Sequence, residues 1–230
     1  MIPKIIHYCW FGGKEKPKCV MKMINTWKKY CPDYEIKEWN ESNFDININR
    51  YCKEAYEANK WAFVSDVARL FALYSEGGIY MDTDVELIKS LDQLLSNKAF
   101  AGFEGTEWVG TNIIGAKCKN KVIAEFLDQY NDAIFVNDGE SLNTTTNVER
   151  LTSLLVEKYN LTRDGVKQEF DDISIFPTDY FCPYDYINGK LSLTKNTYSI
   201  HWYSQSWIER GNFKRKLSQI YHRIFGIKMK

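Results

Sequence analysis

The sequence predicts an α/β fold in which a mostly parallel sheet is covered by helices. Short apolar runs that suit strands alternate with longer stretches of helical character, and the order begins strand, helix, strand. Parallel neighbours need a crossover connection, for which a helix is usual. The 230 residues, 44% of them hydrophobic, suffice for one full core, and no repeat or linker-like tract divides them. We therefore expect one domain over residues 1–210, followed by a basic tail over residues 211–230.

The opening elements follow from local pattern. The first strand is the apolar run Lys4–Trp10, which ends in Gly12 and Gly13. The stretch Val20–Tyr30 has the spacing of a helix, and Tyr34–Trp39 alternates as a strand does. This opening favours two parallel strands joined by a covering helix.

The clearest helix signal runs from Trp61 to Gly78. Apolar side chains form a stripe at helical spacing and also cover most of the remaining surface, so we expect a helix that is buried on several sides. Gly77 and Gly78 supply the permissive backbone that suits a helix end. The strand Ile79–Met81 then leads directly into Asp82. Open α/β sheets place their ligands at such strand ends.

Composition restricts the kind of partner and of compartment. Lys plus Arg and Asp plus Glu both total 30, so no global field favours nucleic acid. The six cysteines are scattered without C-x-x-C spacing, which argues against a zinc site and predicts reduced, mostly buried thiols. The N-terminal residues lack signal-peptide features, and no apolar run reaches spanning length. We expect a cytosolic protein.

Asp82 and Asp84 are candidate metal ligands. Two carboxylates two residues apart on an extended chain point to the same side and can share one Mg²⁺ or Mn²⁺ ion. Glu86 extends the pattern, whereas Leu87 stands where a calcium loop needs glycine. A bound cation would neutralise charge on a sugar-nucleotide diphosphate. Short D-x-D strings also occur as ordinary solvated strand ends.

Asp66 and Arg69 are a charged i, i+3 pair on the otherwise apolar helix. Burying charge is costly, so one interpretation is a structural salt bridge. The other is that both side chains line a cleft and bond sugar hydroxyls, and the two are compatible.

Three blocks of the sequence together resemble a known family: residues 2–13, residues 62–69 and residues 77–84, in that order. They are similar to glycosyltransferase family 32, notably its capsular-polysaccharide members, and more distantly to the glucosylating domains of large clostridial toxins. The likeness recurs at residues 176–184 and at the block from His201 to Trp207. It implies a GT-A fold, a UDP-sugar donor, a divalent cation that is typically Mn²⁺ or else Mg²⁺, and transfer with retention of anomeric configuration.

The same resemblance implies a role for each matching residue in the first three blocks. Trp10 would stack on the base of the donor, although a core tryptophan is the alternative. Asp66 and Arg69 would hold the transferred sugar, and Arg69 would also reach phosphate. Asp82 would contact ribose or the metal through water, and Asp84 would ligate the metal directly.

Further roles come from the later blocks. His201 would reach the metal or diphosphate, against the alternative of a structural histidine. Ser206 and Trp207 would be lid contacts to the leaving phosphates. Asn112 would present a polar group to the sugar or acceptor.

The expected activity is transfer of a hexose or N-acetylhexosamine from a UDP-sugar to a glycan acceptor, such as a lipid-linked capsular polysaccharide intermediate, with Asp66, Arg69 and Asp84 as catalytic residues. The mechanism stays open between assistance by the leaving phosphate and a carboxylate nucleophile. Glu104 and Glu107 are carboxylates that could approach the acceptor, or ordinary surface residues.

Three alternatives remain. A metal-dependent nucleotidyl- or phosphotransferase lacks support, because the sequence has neither a P-loop nor a G-x-G-x-x-G loop. A catalytically silent nucleotide-sugar-binding module would have the same fold, but the intact acidic residues and His201 argue against it. A toxin-like transferase that modifies a protein would differ only in its acceptor.

The tail has the pattern of a basic amphipathic helix. Leu217, Ile220, Tyr221 and Ile224 form one apolar stripe among basic residues. Such helices often lie on anionic membranes, where a polyprenyl-linked acceptor would be found. A final helix packed on the domain would use the same stripe.

Overall fold

The computed structural model describes residues 1–139 and 141–204. The expected tail and the predicted lid residues Ser206 and Trp207 lie outside the described residues. The helices are α1 Lys18–Tyr30, α2 Arg50–Glu57, α3 Trp61–Glu76, α4 Lys121–Asp128, α5 Asn147–Tyr159 and α6 Thr178–Phe181. The strands are β1 Ile5–Cys9, β2 Glu35–Trp39, β3 Gly78–Met81, β4 Val85–Leu87, β5 Ala99–Glu104, β6 Trp108–Ala116, β7 Gln168–Glu169, β8 Ser174–Phe176, β9 Tyr184–Asp185, β10 Lys190–Leu191 and β11 Ser199–His201.

Within the described chain the central sheet has seven strands in the order β2-β1-β3-β6-β5-β8-β7. β1 pairs in parallel with β2 and β3, and β5 pairs in parallel with β8. β6 is antiparallel to both of its neighbours, β3 and β5, and β7 is antiparallel to β8. The sheet is therefore mostly parallel, as the sequence predicted, with two reversed strands.

This topology brings the carboxyl ends of β1, β3 and β5 to one edge of the sheet, because β6 runs opposite to both β3 and β5. Trp10 follows β1, Asp82 follows β3, and Glu104 ends β5. Trp108 begins β6 at the same edge. Groups far apart in sequence thus meet along one line, in the order of the strands.

α3 is buried as its apolar pattern predicted. Val64, Val67, Ala68 and Leu70 are fully covered, and so is most of the helix apart from its ends. The helix closes at Gly77, whose φ is +69°, and the chain enters β3 at Gly78, whose φ is +105°. A Cβ on Gly78 would come within 2.7 Å of the Ile5 carbonyl oxygen, so only glycine fits where β1 and β3 meet.

Two further features bear on earlier expectations. All six cysteine thiols are free, and four of the six are buried, as the sequence predicted. Among the described residues no helix is long and apolar enough to cross a membrane.

Candidate active site

Asp82 and Asp84 lie in a tight turn between β3 and β4, not on an extended strand as the spacing argument assumed. The amide of Val85 donates to the Asp82 carbonyl at 3.0 Å, which closes the turn, and the Asp82 amide donates to the Asn112 carbonyl at 2.8 Å. The turn brings the two carboxylates together because it reverses the chain between them. The expectation that Glu86 extends the cluster is wrong, since Glu86 lies on β4 and accepts a hydrogen bond from Trp202 Nε1 at 2.8 Å.

His201 joins the two aspartates. It ends β11, which pairs with β4 so that His201 lies opposite Val85, next to the turn. Asp82, Asp84 and His201 each offer one ligand atom, and these atoms lie within 4.8 Å of one another. The buried Nδ1 atom of His201 has no hydrogen-bond partner among the described residues. Carboxylate oxygens suit Mn²⁺ and Mg²⁺, and an imidazole nitrogen is also an acceptable ligand for Mn²⁺, so these residues fit a divalent cation.

The chain after β11 holds Asp84 in place. The backbone amide of Ser204 donates to Asp84 Oδ2 at 2.7 Å, and the Trp202 amide donates to the Asp84 carbonyl at 3.1 Å. His201 Nε2 lies 3.4 Å from Asp84 Oδ1. Burial opposes ionisation of Asp84, but His201 and the Ser204 amide outweigh it and hold the Asp84 pKa below its usual range. Asp84 is therefore poised as an anion.

The same pairing acts on His201 in the opposite direction. Burial alone would lower the pKa of His201, but the Asp84 carboxylate outweighs burial and raises that pKa. A cation at this place would compete with a proton for the imidazole.

The charged pair on α3 reaches the turn directly. Arg69 Nη2 lies 2.9 Å from Asp66 Oδ1, and Arg69 Nη1 lies 3.3 Å from Asp82 Oδ1. Both α3 side chains are buried, and burial raises the pKa of Asp66 to about 7. The two side chains thus form the buried salt bridge of the first interpretation, and the pair also borders the Asp82 carboxylate.

Three residues that contact the site were missed by sequence reasoning: Tyr80, Thr111 and Ser204. Tyr80 donates its hydroxyl to Asp82 Oδ1 at 2.8 Å, and the Arg69 guanidinium lies over the Tyr80 ring at 4.5 Å. Arg69 Nη1 also donates to the Thr111 carbonyl at 3.0 Å. The Ser204 amide on Asp84 is the third. Tyr80 could have been suspected from its place two residues before Asp82, whereas the backbone groups of Thr111 and Ser204 leave no mark in the sequence.

Asn112 lies beside the turn as well. It is buried on β6, its carbonyl accepts from Asp82, and its Oδ1 atom accepts from the Cys182 thiol at 3.4 Å. Its Nδ2 donor has no partner within the described part of the chain. An unpaired buried amide donor is costly, so this group is available to a ligand oxygen.

Trp10 lies further along the same edge. Its ring is half-buried against the core, and its Nε1 atom donates to the Lys14 carbonyl at 2.6 Å. The position after β1 is compatible with stacking on a base and with a partly buried core residue.

Comparison with known proteins finds a family match that includes residues of this site. Residues 17–101 match a family described as "Glycosyltransferase sugar-binding region containing DXD motif". The stretch includes α3 and the Asp82–Asp84 turn.

Curated proteins of similar sequence include the following two. Inositol phosphoceramide mannosyltransferase 3 of Schizosaccharomyces pombe is 30% identical over 122 residues, which are 50% of this chain and 33% of that protein. Uncharacterized glycosyltransferase L373 of Acanthamoeba polyphaga mimivirus is 28% identical over 200 residues, which are 83% of this chain and 76% of that protein. The chain thus spans about a third of the yeast enzyme and about three quarters of the viral protein.

Among solved structures, PaToxG glycosyltransferase aligns with a TM-score of 0.53 and 19% identity, over 69% of this chain and 70% of that chain. This likeness concerns the fold, and it agrees with the mostly parallel sheet flanked by helices. The chain therefore has the GT-A fold, and its residues 17–101 match the DXD-containing sugar-binding region of glycosyltransferases.

Proposed function

We propose that the chain is a retaining, metal-dependent glycosyltransferase. It moves a hexose or N-acetylhexosamine from a UDP-sugar to a hydroxyl of a glycan acceptor, which is a lipid-linked intermediate of a surface or capsular polysaccharide. One observation supports this most directly: Asp82, Asp84 and His201 converge at the strand edge and adjoin the buried Asp66–Arg69 pair.

Each residue then has a distinct task. Asp84 and His201 would hold the cation, with Asp82 beside it, and the bound cation would neutralise charge on the diphosphate as it leaves. Trp10 would stack on the uracil ring. Asp66 and Arg69 would bind hydroxyls of the transferred sugar in a fixed orientation, because α3 and their mutual ion pair restrain both side chains. Asn112 would donate its unpaired amide to the sugar.

The lipid-linked acceptor has independent support from one relative. The yeast protein is named for transfer of mannose to inositol phosphoceramide, which is a lipid. The predicted basic helix over residues 211–230 would dock the enzyme on the anionic membrane that presents such a substrate. Sedimentation with anionic liposomes should recover the full chain and leave a chain that ends at Gly211 in solution. Equal recovery of the two would remove the membrane part of the proposal.

The decisive experiment is a panel of UDP- and GDP-sugars, assayed for binding and for hydrolysis with and without Mn²⁺. The wild type should turn over one UDP-sugar only with metal. Asp84→Asn removes the ligand charge at nearly constant size, so turnover should fall by about 100-fold or more. Asp132→Asn, which changes an exposed aspartate outside the site, is the matched control and should behave as wild type.

Two results would count against the proposal. If no nucleotide sugar binds in the presence of Mn²⁺, the transferase assignment fails. If Asp84→Asn and Asp132→Asn have equal activity, the metal site is wrong. Turnover of a UDP-sugar with a protein acceptor and with no glycan would favour a toxin-like enzyme.

A further inference from the structure

A cleft of about 350 Å³ opens beside the metal-binding residues, over the ends of β5 and β6. This volume is near the lower end of the roughly 300–1,000 Å³ that is usual for small-molecule sites. The cleft can therefore admit a single sugar unit. None of its lining residues has been given a role in donor or metal binding above.

Four of the ten described residues that line the cleft are aromatic. Trp108, Tyr184, Tyr186 and Tyr203 all line the cleft. Trp108 is 37% exposed and lines the cleft, and the Arg163 guanidinium lies over its ring at 4.8 Å. A stacked ligand would use the ring surface that Arg163 leaves open to the cleft. Pyranose rings present C–H groups on their faces, and the electron-rich face of an aromatic ring attracts such groups.

A carboxylate stands among these rings. Glu104 lines the cleft at the end of β5 and lies opposite Trp108 in the β5–β6 ladder. Tyr203 lines the same cleft, and its hydroxyl interacts with the Glu104 carboxylate. A half-buried carboxylate accepts strong hydrogen bonds from sugar hydroxyls. The cleft thus combines the flat apolar faces and the polar acceptor that recognition of a sugar requires.

The cleft adjoins the metal-binding residues. The centroids of the Tyr203 and His201 rings are 3.9 Å apart, and Cys182, which lines the cleft, donates to Asn112. Trp108, Gly110 and Asn112 alternate along β6 and so share one face of it. Because Gly110 has no side chain, Glu104 and Asn112 approach each other over it.

Strand order separates this cleft from the donor side. Trp10 and Asp82 follow β1 and β3, so a nucleotide that runs between them occupies that half of the edge. Glu104 and Trp108 lie beyond Asp82, at β5 and β6. A molecule in the cleft would therefore meet the transferred sugar from the side away from the base.

We propose that this cleft is the acceptor subsite and takes one pyranose unit, whose face stacks on Trp108 and whose hydroxyl bonds to Glu104. The inference rests on the proposed function, because it names the sugar-binding half of the same reaction. Glu104 and Trp108 are thus specificity-determining residues for the acceptor, a role that goes beyond the general possibility that Glu104 approaches it.

Methyl glycosides of glucose, galactose, mannose and N-acetylglucosamine serve as probes, since each is a single pyranose that cannot bind as a nucleotide does. Saturation-transfer NMR of the full chain with UDP and Mg²⁺, which is diamagnetic and does not broaden the ligand signals as Mn²⁺ would, should detect at least one of them. Trp108→Ala should weaken the binding of that glycoside about tenfold. Trp108→Phe should lose less affinity than Trp108→Ala, because it keeps an aromatic face. Glu104→Gln should weaken it as well, because a neutral amide accepts a weaker hydrogen bond.

Tyr30→Ala is the matched control. Tyr30 ends α1 just before β2, so it lies at the opposite edge of the sheet, and its loss should leave glycoside binding unchanged. Circular dichroism of each variant checks that the fold is kept, which is expected for Trp108 because its ring is partly in solvent.

Separate binding of UDP-sugars distinguishes this inference from the proposed function. If the wild type binds a UDP-sugar but no glycoside, or if glycosides bind equally well to Trp108→Ala, the acceptor subsite is wrong and the transferase proposal stands. If the wild type binds no nucleotide sugar, the proposed function fails and this inference fails with it.

Discussion

At the residue scale, Gly110 controls the position of two larger side chains. A Cβ on Gly110 would lie 2.8 Å from Asn112 Oδ1 and 3.3 Å from Glu104 Oε2. The first distance is a clash with a buried amide that is already fixed by its contact with Cys182. Any side chain at this position would therefore push Asn112 or Glu104 away from the edge where donor and acceptor are proposed to meet.

Gly110→Ala should strongly reduce the rate of glycosyl transfer while it changes the free energy of unfolding only a little. The displaced groups lie at the site, and a misplacement of about 1 Å there can reduce a rate by roughly 100-fold. Steady-state transfer with an identified donor and acceptor, together with urea unfolding, measures both effects. An alanine variant with wild-type rates would show that the positions of Asn112 and Glu104 do not matter.

Asp66 should make stability depend on pH. Its pKa is about 7 in the folded chain because of burial, against about 4 in an unfolded chain. Between these values the folded protein holds a proton that the unfolded chain has lost, so the Asp66 contribution is complete below about pH 4 and is lost as pH rises towards 7.

Comparing the wild type with Asp66→Asn isolates the contribution of Asp66 to the pH dependence of stability, because the asparagine side chain does not titrate. Urea unfolding with EDTA from about pH 4.5 to 7.5 should give the wild type a more negative slope of unfolding free energy against pH. Only the slope is compared, because the substitution also alters the contact between residue 66 and Arg69. Equal slopes would mean that Asp66 is ionised throughout this range.

At the element scale, the passage from α3 into β3 depends on His7. This buried histidine on β1 interacts through Nε2 with the Gly77 carbonyl at 2.7 Å, and its Nδ1 atom accepts from Trp39 Nε1 at 3.0 Å. Since Nδ1 is an acceptor, the proton is on Nε2 and the ring is neutral. The His7 side chain thus links β1 by hydrogen bonds to β2 and to the end of α3. Gly77, one of its hydrogen-bond partners, directly precedes β3, the strand that leads to Asp82.

His7→Gln should cost about 1–3 kcal/mol, because one buried partner loses its hydrogen bond. The variant should also lose a pH effect. Burial lowers the pKa of His7, so below about pH 6.5 the unfolded chain takes up a proton that the folded chain refuses, and stability falls as pH falls. Unfolding of both proteins from about pH 7.5 to 5 should therefore give a steeper acid loss for the wild type. If the unfolding free energies of the two proteins fall in parallel as the pH is lowered, groups other than His7 cause the acid destabilisation.

At the scale of the whole molecule, the proposed cation would join distant parts of the chain. Asp82 and Asp84 lie between β3 and β4, whereas His201 ends β11, and the strand pair β4–β11 lies outside the central sheet. A ligand that binds only the folded arrangement stabilises it by mass action.

Mn²⁺ should therefore raise the Tm of the wild type. A free concentration about 100 times the Kd corresponds to about 2.7 kcal/mol of added stability. Asp84→Asn should show little or no shift, and Asp132→Asn should respond as wild type does. Scanning calorimetry at several Mn²⁺ concentrations makes this measurement, and equal shifts in all three proteins would place the binding elsewhere.

The sequence by itself determined the fold class, the opening strands, α3 and the identity of the acidic residues. These features depend on local pattern: apolar periodicity, glycines at a helix end and a short carboxylate motif after a buried strand. Tertiary structure alone decided that Asp82 and Asp84 meet in a turn, that Glu86 is taken by Trp202, and that Glu104 faces an aromatic cleft. It also placed the Ser204 amide on Asp84. These features need contacts between residues distant in sequence, or backbone groups common to every residue, so the order of side chains along the chain has no local signal for them.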